Sequence, residues 1–214
     1  MHTLSRMRLL LAALLLAPSA AAGTRYVNVA LTTGANDGSS WVNAHRGADA
    51  VANALTAAIA GDQLWVAVGT YLPTTTGNRA LAHQLKNGVE VYGGFNGSET
   101  ALAQRDPAAN VTVLSGDLAG NDGASVFTDN AYHVVLGTGT NTTAVLDGFT
   151  VRGGNANGAG ANQDRGGGIL CVSSSSPTVR RCLFTANRCS FGGGAGYINS
   201  SGPVFIDCVF DANL

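Results

Sequence analysis

Residues 166–191 read GGGILCVSSSSPTVRRCLFTANRCSF, and residues 192–213 read GGGAGYINSSGPVFIDCVFDAN. Gly166-Gly167-Gly168 recurs as Gly192-Gly193-Gly194, Pro177 as Pro203, Cys182 as Cys208, Phe184 as Phe210 and Asn187 as Asn213, each 26 residues on. A fixed period of roughly 20–50 residues marks a chain built from stacked units. Within each unit the apolar residues alternate with period 2, so a helical repeat does not fit. No Leu/Asn consensus of a leucine-rich repeat occurs, and a propeller blade would need about 40 residues. Two or three short strands with Gly, Ser and Asn corners fit one coil of a parallel β-helix, whose strands pair with their equivalents about 4.8 Å along the axis. Cys182 over Cys208 and Phe184 over Phe210 then form inward ladders. Asn187 over Asn213 forms a corner ladder of side-chain amides. A bend at Arg180-Arg181 keeps Val179 and Cys182 both inward and puts both arginines outside.

Working outward, NGVEVYGG (Asn87–Gly94) is echoed by DGFTVRGG (Asp147–Gly154) at an offset of 60. Short alternating strands ending in Gly or Asn recur from Gln63 onward, with Leu64, Val66 and Val68 on one face of the first. Further strands are expected at Val89–Val91, Val111–Leu114, His133–Leu136 and Phe149–Val151. One helix is expected, over Ala48–Ala60, with Val51, Ala54, Leu55, Ala58 and Ile59 at helical spacing and Gly61 as its stop. Before it lie a strand at Tyr26–Val29 and a turn-rich loop, Thr32–Ser40. The N-terminus carries Arg6 and Arg8, an apolar run Leu9–Ala17, then Pro18, Ser19 and Ala20-Ala21-Ala22. This is the three-part pattern of a secretory signal, predicted as residues 1–22. Residues 23–63 are expected as an N-terminal cap and 64–214 as β-helix coils. The run is shorter than the roughly 20 residues of a spanning helix. The expectation is a secreted or cell-surface chain with no membrane span after cleavage.

Composition agrees with this organisation. Of 214 residues, 29 are Gly and 12% are charged, against about 7% and 25% in ordinary soluble domains. Two Glu and one Lys exclude a heptad coiled coil. Clustered Gly excludes collagen, and 45% hydrophobic content excludes a disordered tail. A formal charge of -1 argues against nucleic acid as partner.

These residues resemble secreted bacterial right-handed parallel β-helix proteins of the pectate-lyase-like superfamily. The units resemble the repeats of chlamydial polymorphic outer membrane proteins, built on GG-x-I and F-x-x-N. Here they read Gly167-Gly168-Ile169 with Phe184-Thr185-Ala186-Asn187, then Gly193-Gly194-Ala195 with Phe210-Asp211-Ala212-Asn213. Asn36–Trp41, the Ala-rich helix and Gly61–Tyr71 resemble the capping segment of such solenoids. The resemblance implies an all-β fold, a right-handed parallel β-helix with an N-terminal capping helix. It spans lyases, hydrolases, adhesins and spacers, so it does not assign an activity.

The site residues are few. No strand carries acids at i and i+2, so no catalytic residue is named. Trp65 and Tyr92 are the aromatic candidates for stacking on a sugar. Asp117, Asn121 and Asp122 lie in an oxygen-rich loop, and calcium is the one cofactor such a loop would suit. His45, His83 and His133 stand apart from any metal spacing and read as exposed or packed surface histidines. Cys171, Cys182, Cys189 and Cys208 contain no CxxC pair, and Cys182 with Cys208 reads as buried free thiols. The function expected is that of an exported, non-catalytic β-helix, adhesin-like or contacting a polysaccharide or cell-surface glycan. The alternative is the N-terminal fragment of a polysaccharide lyase or glycoside hydrolase. Because Leu214 follows the last corner directly, a missing C-terminal cap and a longer parent protein are expected.

Overall fold

A computed structural model describes residues 21–214. Most of the predicted signal segment, residues 1–20, lies outside the described residues. Among the described residues the fold is mostly β, with one short α-helix, and all of the strand pairings are parallel. The first sheet has six strands, Thr24–Val27, Gln63–Ala67, Glu90–Phe95, Val145–Asp147, Thr178–Arg180 and Val204–Ile206, neighbours in that order. The second has five: Gly69–Tyr71, Thr112–Ser115, Thr150–Arg152, Leu183–Thr185 and Val209–Asp211. The third has four: His83–Gln84, Val135–Leu136, Ile169–Val172 and Gly196–Asn199. A two-stranded sheet pairs Asn155–Ala156 with Arg188–Cys189. From Gln63 onward the chain passes through first, second and third sheets in the same order each time.

One core lies between the sheets. Leu64, Val91, Leu146 and Val179 come from the first sheet, Tyr71, Leu114, Val151 and Phe184 from the second, and Val135 and Ile169 from the third. They are register mates, so each ladder stacks one apolar side chain on the next. Burial of each such side chain contributes about 1.5–3 kcal/mol. The helix, Ala50–Ala57, buries Ala50, Val51, Ala54 and Leu55 against this core. It is shorter at both ends than the spacing predicted. At its end the chain turns extended at Ala58, whose N–H still bonds Ala54 O.

The expected ladders are present. Phe184 and Phe210 stack with centroids 5.1 Å apart at 16°. Asn187 donates through Nδ2 to Asn213 Oδ1 at 3.0 Å and to Val151 O at 2.9 Å, while its own Oδ1 accepts from Gly154 N–H. All four cysteines are free thiols. The bend at Arg181 is made by a left-handed residue, φ 48°.

The structure corrects three expectations. First, the 26-residue offset is not uniform. Thr178–Arg180 and Leu183–Thr185 pair at 26, but Ile169–Val172 pairs with Gly196–Asn199 at 27. The connection after the first of these, residues 173–177, is one residue longer than its counterpart, residues 200–203, and this restores the register. Second, the offset of 60 aligns strands that are not equivalent. Glu90–Tyr92 pairs with Val145–Asp147 in the first sheet, whereas Thr150–Arg152 belongs to the second. A strand followed by Gly-Gly reads alike on either sheet. Third, Val68 is 43% exposed and does not share a face with Leu64 and Val66. The pairing with Glu90–Phe95 slips between Trp65 and Ala67, so Ala67 takes the buried place.

Candidate functional site

The outer face of the first sheet carries a register ladder that runs Tyr26, Trp65, Tyr92, Asp147, Arg180. Its upper half is aromatic and covered. Trp65 stacks on Phe95 at 4.8 Å, and Trp41 and Leu102 pack over the cluster. Trp41 is fixed there by its indole N–H, which donates to Glu99 O at 2.8 Å. Glu99 in turn accepts the backbone N–H groups of Asn96, Gly97 and Ser98 and shapes the loop. Trp65 is therefore 5% exposed and Tyr92 6%. A sugar needs an open ring face, and these faces are already packed against protein.

Below the aromatics the ladder becomes charged. The Asp147 carboxylate is wholly buried and receives three arginines. Arg105 Nη2 lies 2.9 Å away, Arg181 donates through Nε at 3.0 Å and Nη2 at 2.5 Å, and Arg180 Nε stands at 3.5 Å. Arg181 reaches Asp147 because its left-handed backbone turns the side chain back over the neighbouring strand. Arg105 is nearly buried, lies over the Tyr92 ring at 4.9 Å and also donates to Gly93 O and Asp147 O. Three guanidinium groups around one carboxylate leave a formal excess of two positive charges. Arg180 Nε is buried without a hydrogen-bond partner, and Arg181 is 51% exposed along its side chain. These groups line an open cleft of about 410 Å³ with Tyr92, Leu102 and Ala103. Burial, reinforced by neighbouring Glu90, pushes the Tyr92 phenol up to about 12, so it stays a neutral donor. The guanidinium nitrogens of Arg180 and Arg181 not spent on Asp147, beside an apolar wall, suit an oxyanion on a larger ligand.

A larger groove, about 460 Å³, lies beside the helix between Asn53, Thr56, Leu81 and Gln84. Its cation, Lys86, is taken up by the helix end, where it donates to Thr56 O and Ala58 O. The charged cleft is therefore the better candidate.

The remaining sequence candidates fall in two places. Asp117, Asn121 and Asp122 are brought together: the Asp117 carboxylate accepts the N–H groups of Asn121 and Asp122 at 3.0 and 3.2 Å. The histidines do not share one environment. His45 is partly buried, His133 is buried with Nδ1 3.0 Å from Gly166 O, and His83 is fully buried in the core, not at the surface. Sequence reasoning placed Arg180 and Arg181 outside but did not join them to Asp147. Their meeting depends on a 33-residue register that no repeat in the sequence displays.

No protein-family model matches the chain, and no curated protein or solved structure is detectably similar to it.

Proposed function

We propose that the chain is a right-handed parallel β-helix solenoid, exported and displayed or secreted, that works as a non-catalytic module contacting an acidic glycan. The recurring order of the three parallel sheets supports the solenoid, and parallel crossovers are right-handed in about 98% of cases. The resemblance of Gly167-Gly168-Ile169 and Phe184-Thr185-Ala186-Asn187 to the repeats of such solenoids agrees with it. The glycan reading rests on one observation, the excess positive charge of Arg105, Arg180 and Arg181 over Asp147 in an open cleft. In this reading Arg180 and Arg181 hold carboxylate or sulfate groups of a polysaccharide, and Arg105 with Asp147 fixes their geometry.

The test is binding of the purified chain to a panel of neutral, uronate-containing and sulfated polysaccharides at two salt concentrations. Expected is retention on acidic members only, weakened by salt, and reduced about tenfold or more in Arg180→Ala/Arg181→Ala, one charge-assisted contact being worth about that much. Equal binding by the double variant, or none by the parent chain, overturns the reading. Release of unsaturated sugars during the incubation would favour the lyase alternative instead.

A further inference from the structure

The excursion from Asp117 to Asn130 is a closed loop. Ala131 N–H bonds Gly116 O at 2.8 Å across its base. Three carboxylates stand in it: Asp117, Asp122 and Asp129. Asn121 Nδ2 donates to Asp129 Oδ2 at 3.1 Å, and Asn130 Nδ2 donates to Asp122 Oδ1 at 3.0 Å and to Gly153 O at 2.6 Å. These bonds consume the amide nitrogens and leave oxygens behind. Asn121 Oδ1, Asp129 Oδ1 and Asn130 Oδ1 are all buried without a hydrogen-bond donor. Every carboxylate or amide oxygen orphaned in this way among the described residues lies in this one loop. Asn130 is 1% exposed and its amide lies against Asp122, between the loop and the sheet.

An orphaned buried acceptor costs about 1–3 kcal/mol, and three of them in one loop call for a common partner. Turning the Asn130 amide over does not help, because its oxygen would then face two acceptors, Asp122 Oδ1 and Gly153 O. The missing partner is therefore a cation or the hydrogen of an ordered water. We propose that this loop binds a calcium ion through oxygens of Asp122, Asp129, Asn121 and Asn130, with Asp117 holding the backbone of the loop in place.

The donor set selects the ion. No three His, Cys, Asp or Glu side chains among the described residues converge closely enough to hold a metal by themselves. The neutral amide oxygens are therefore indispensable, which excludes zinc-like chemistry and suits a hard cation. Calcium takes about 6–8 oxygens in flexible geometry, whereas magnesium demands a tighter octahedron. The proposal stands apart from the arginine cleft, which lies on the first sheet, so either can fail without the other.

The test uses the full chain, calorimetric titration with calcium chloride or magnesium chloride after chelator treatment, and hydrogen exchange in both states. Expected are one bound calcium per chain, an affinity of roughly 10⁻⁴–10⁻³ M as in extracellular modules, slower exchange confined to 117–130, and weaker binding of magnesium. Asp129→Asn and Asn121→Ala, both at partly exposed positions, lower the affinity about tenfold or more. Asp122→Asn abolishes the calcium response. No heat and no exchange change at millimolar calcium overturns the proposal. So does calcium binding that both partly exposed variants leave intact.

Discussion

His83 shows how a single residue sets a property of the whole chain. It occupies an inward position of the third sheet, register mate of Val135, and neither ring nitrogen has a partner. The Tyr71 backbone lies near the ring but outside hydrogen-bond geometry. Burial pushes the imidazole down to about 4 from its usual 6.5. The neutral form is therefore the folded form, and the unfolded chain takes up a proton that the folded chain refuses. This contribution to stability is intact above pH 6.5 and is lost as pH falls from 6.5 toward 4, to the extent of about 3 kcal/mol. Burial lowers His45 and His133 in the same direction. Asp62 acts in a separate window. Burial alone would raise it, but the Ile59 N–H and Arg25 outweigh that, so its contribution is lost only below pH 3.8. His83→Leu should flatten most of the decline in melting temperature between pH 6.5 and 4, measured by calorimetry across that range. An unchanged slope would place the acid sensitivity elsewhere. Nothing in the sequence around His83 signalled this. An isolated His in a short polar-looking stretch reads as surface until the sheet closes over it.

At the scale of elements, the corners after the strands follow one backbone rule with changing residues. After the first-sheet strands, Gly148, Arg181 and Asp207 are left-handed, and after the second-sheet strands so are Gly153, Ala186 and Ala212. Glycine adopts this conformation freely, while a residue with a Cβ costs about 1–2 kcal/mol. Arg181 has a use for the conformation, since it aims the guanidinium at Asp147. Ala186 has none: its side chain ends at the Cβ. Ala186→Gly should raise stability by about 1 kcal/mol, since the relief exceeds the added entropy of the unfolded glycine. Chemical denaturation would show it as a higher midpoint at constant slope. The strands, their inward faces and the Asn187–Asn213 ladder were legible because period-2 alternation and a repeated Asn are local signals. The one-residue slip at Ile169–Val172 was not. The matching GGG runs align perfectly in sequence, and only the shorter second connection reveals that they do not align in space.

Across the molecule, successive first-sheet strands are unequally spaced in sequence. Thr24 to Gln63, Gln63 to Glu90, Glu90 to Val145, Val145 to Thr178 and Thr178 to Val204 are 39, 27, 55, 33 and 26 residues. The repeat that reveals the fold lies in the shortest interval. The longest contains the loop over the aromatics, Arg105 and the Asp117–Asn130 excursion, whereas Arg180 and Arg181 lie in the shortest. Regular passes spend their residues on ladders, and loops carry chemistry. The candidate cleft was hard to read because it joins residues from several of these intervals. Pairing also predicts a gradient of protection. Val209–Asp211 has a sheet neighbour on one side only, and Val209 and Phe210 are exposed, whereas Thr150–Arg152 is paired on both sides. In the 214-residue chain, hydrogen exchange should be faster in the former strand. Equal rates would mean that the strand is covered.

The unequal spacing uncouples length in sequence from position along the first sheet. Each added strand advances the first sheet by about 4.8 Å, so six strands rise only about 24 Å, whether a pass consumes 26 residues or 55. A peptide grafted into the exposed turn at Ala159–Ala161 would lengthen one pass and leave the level of every strand above and below it unchanged. A graft there would have its position chosen by strand level and its size chosen separately.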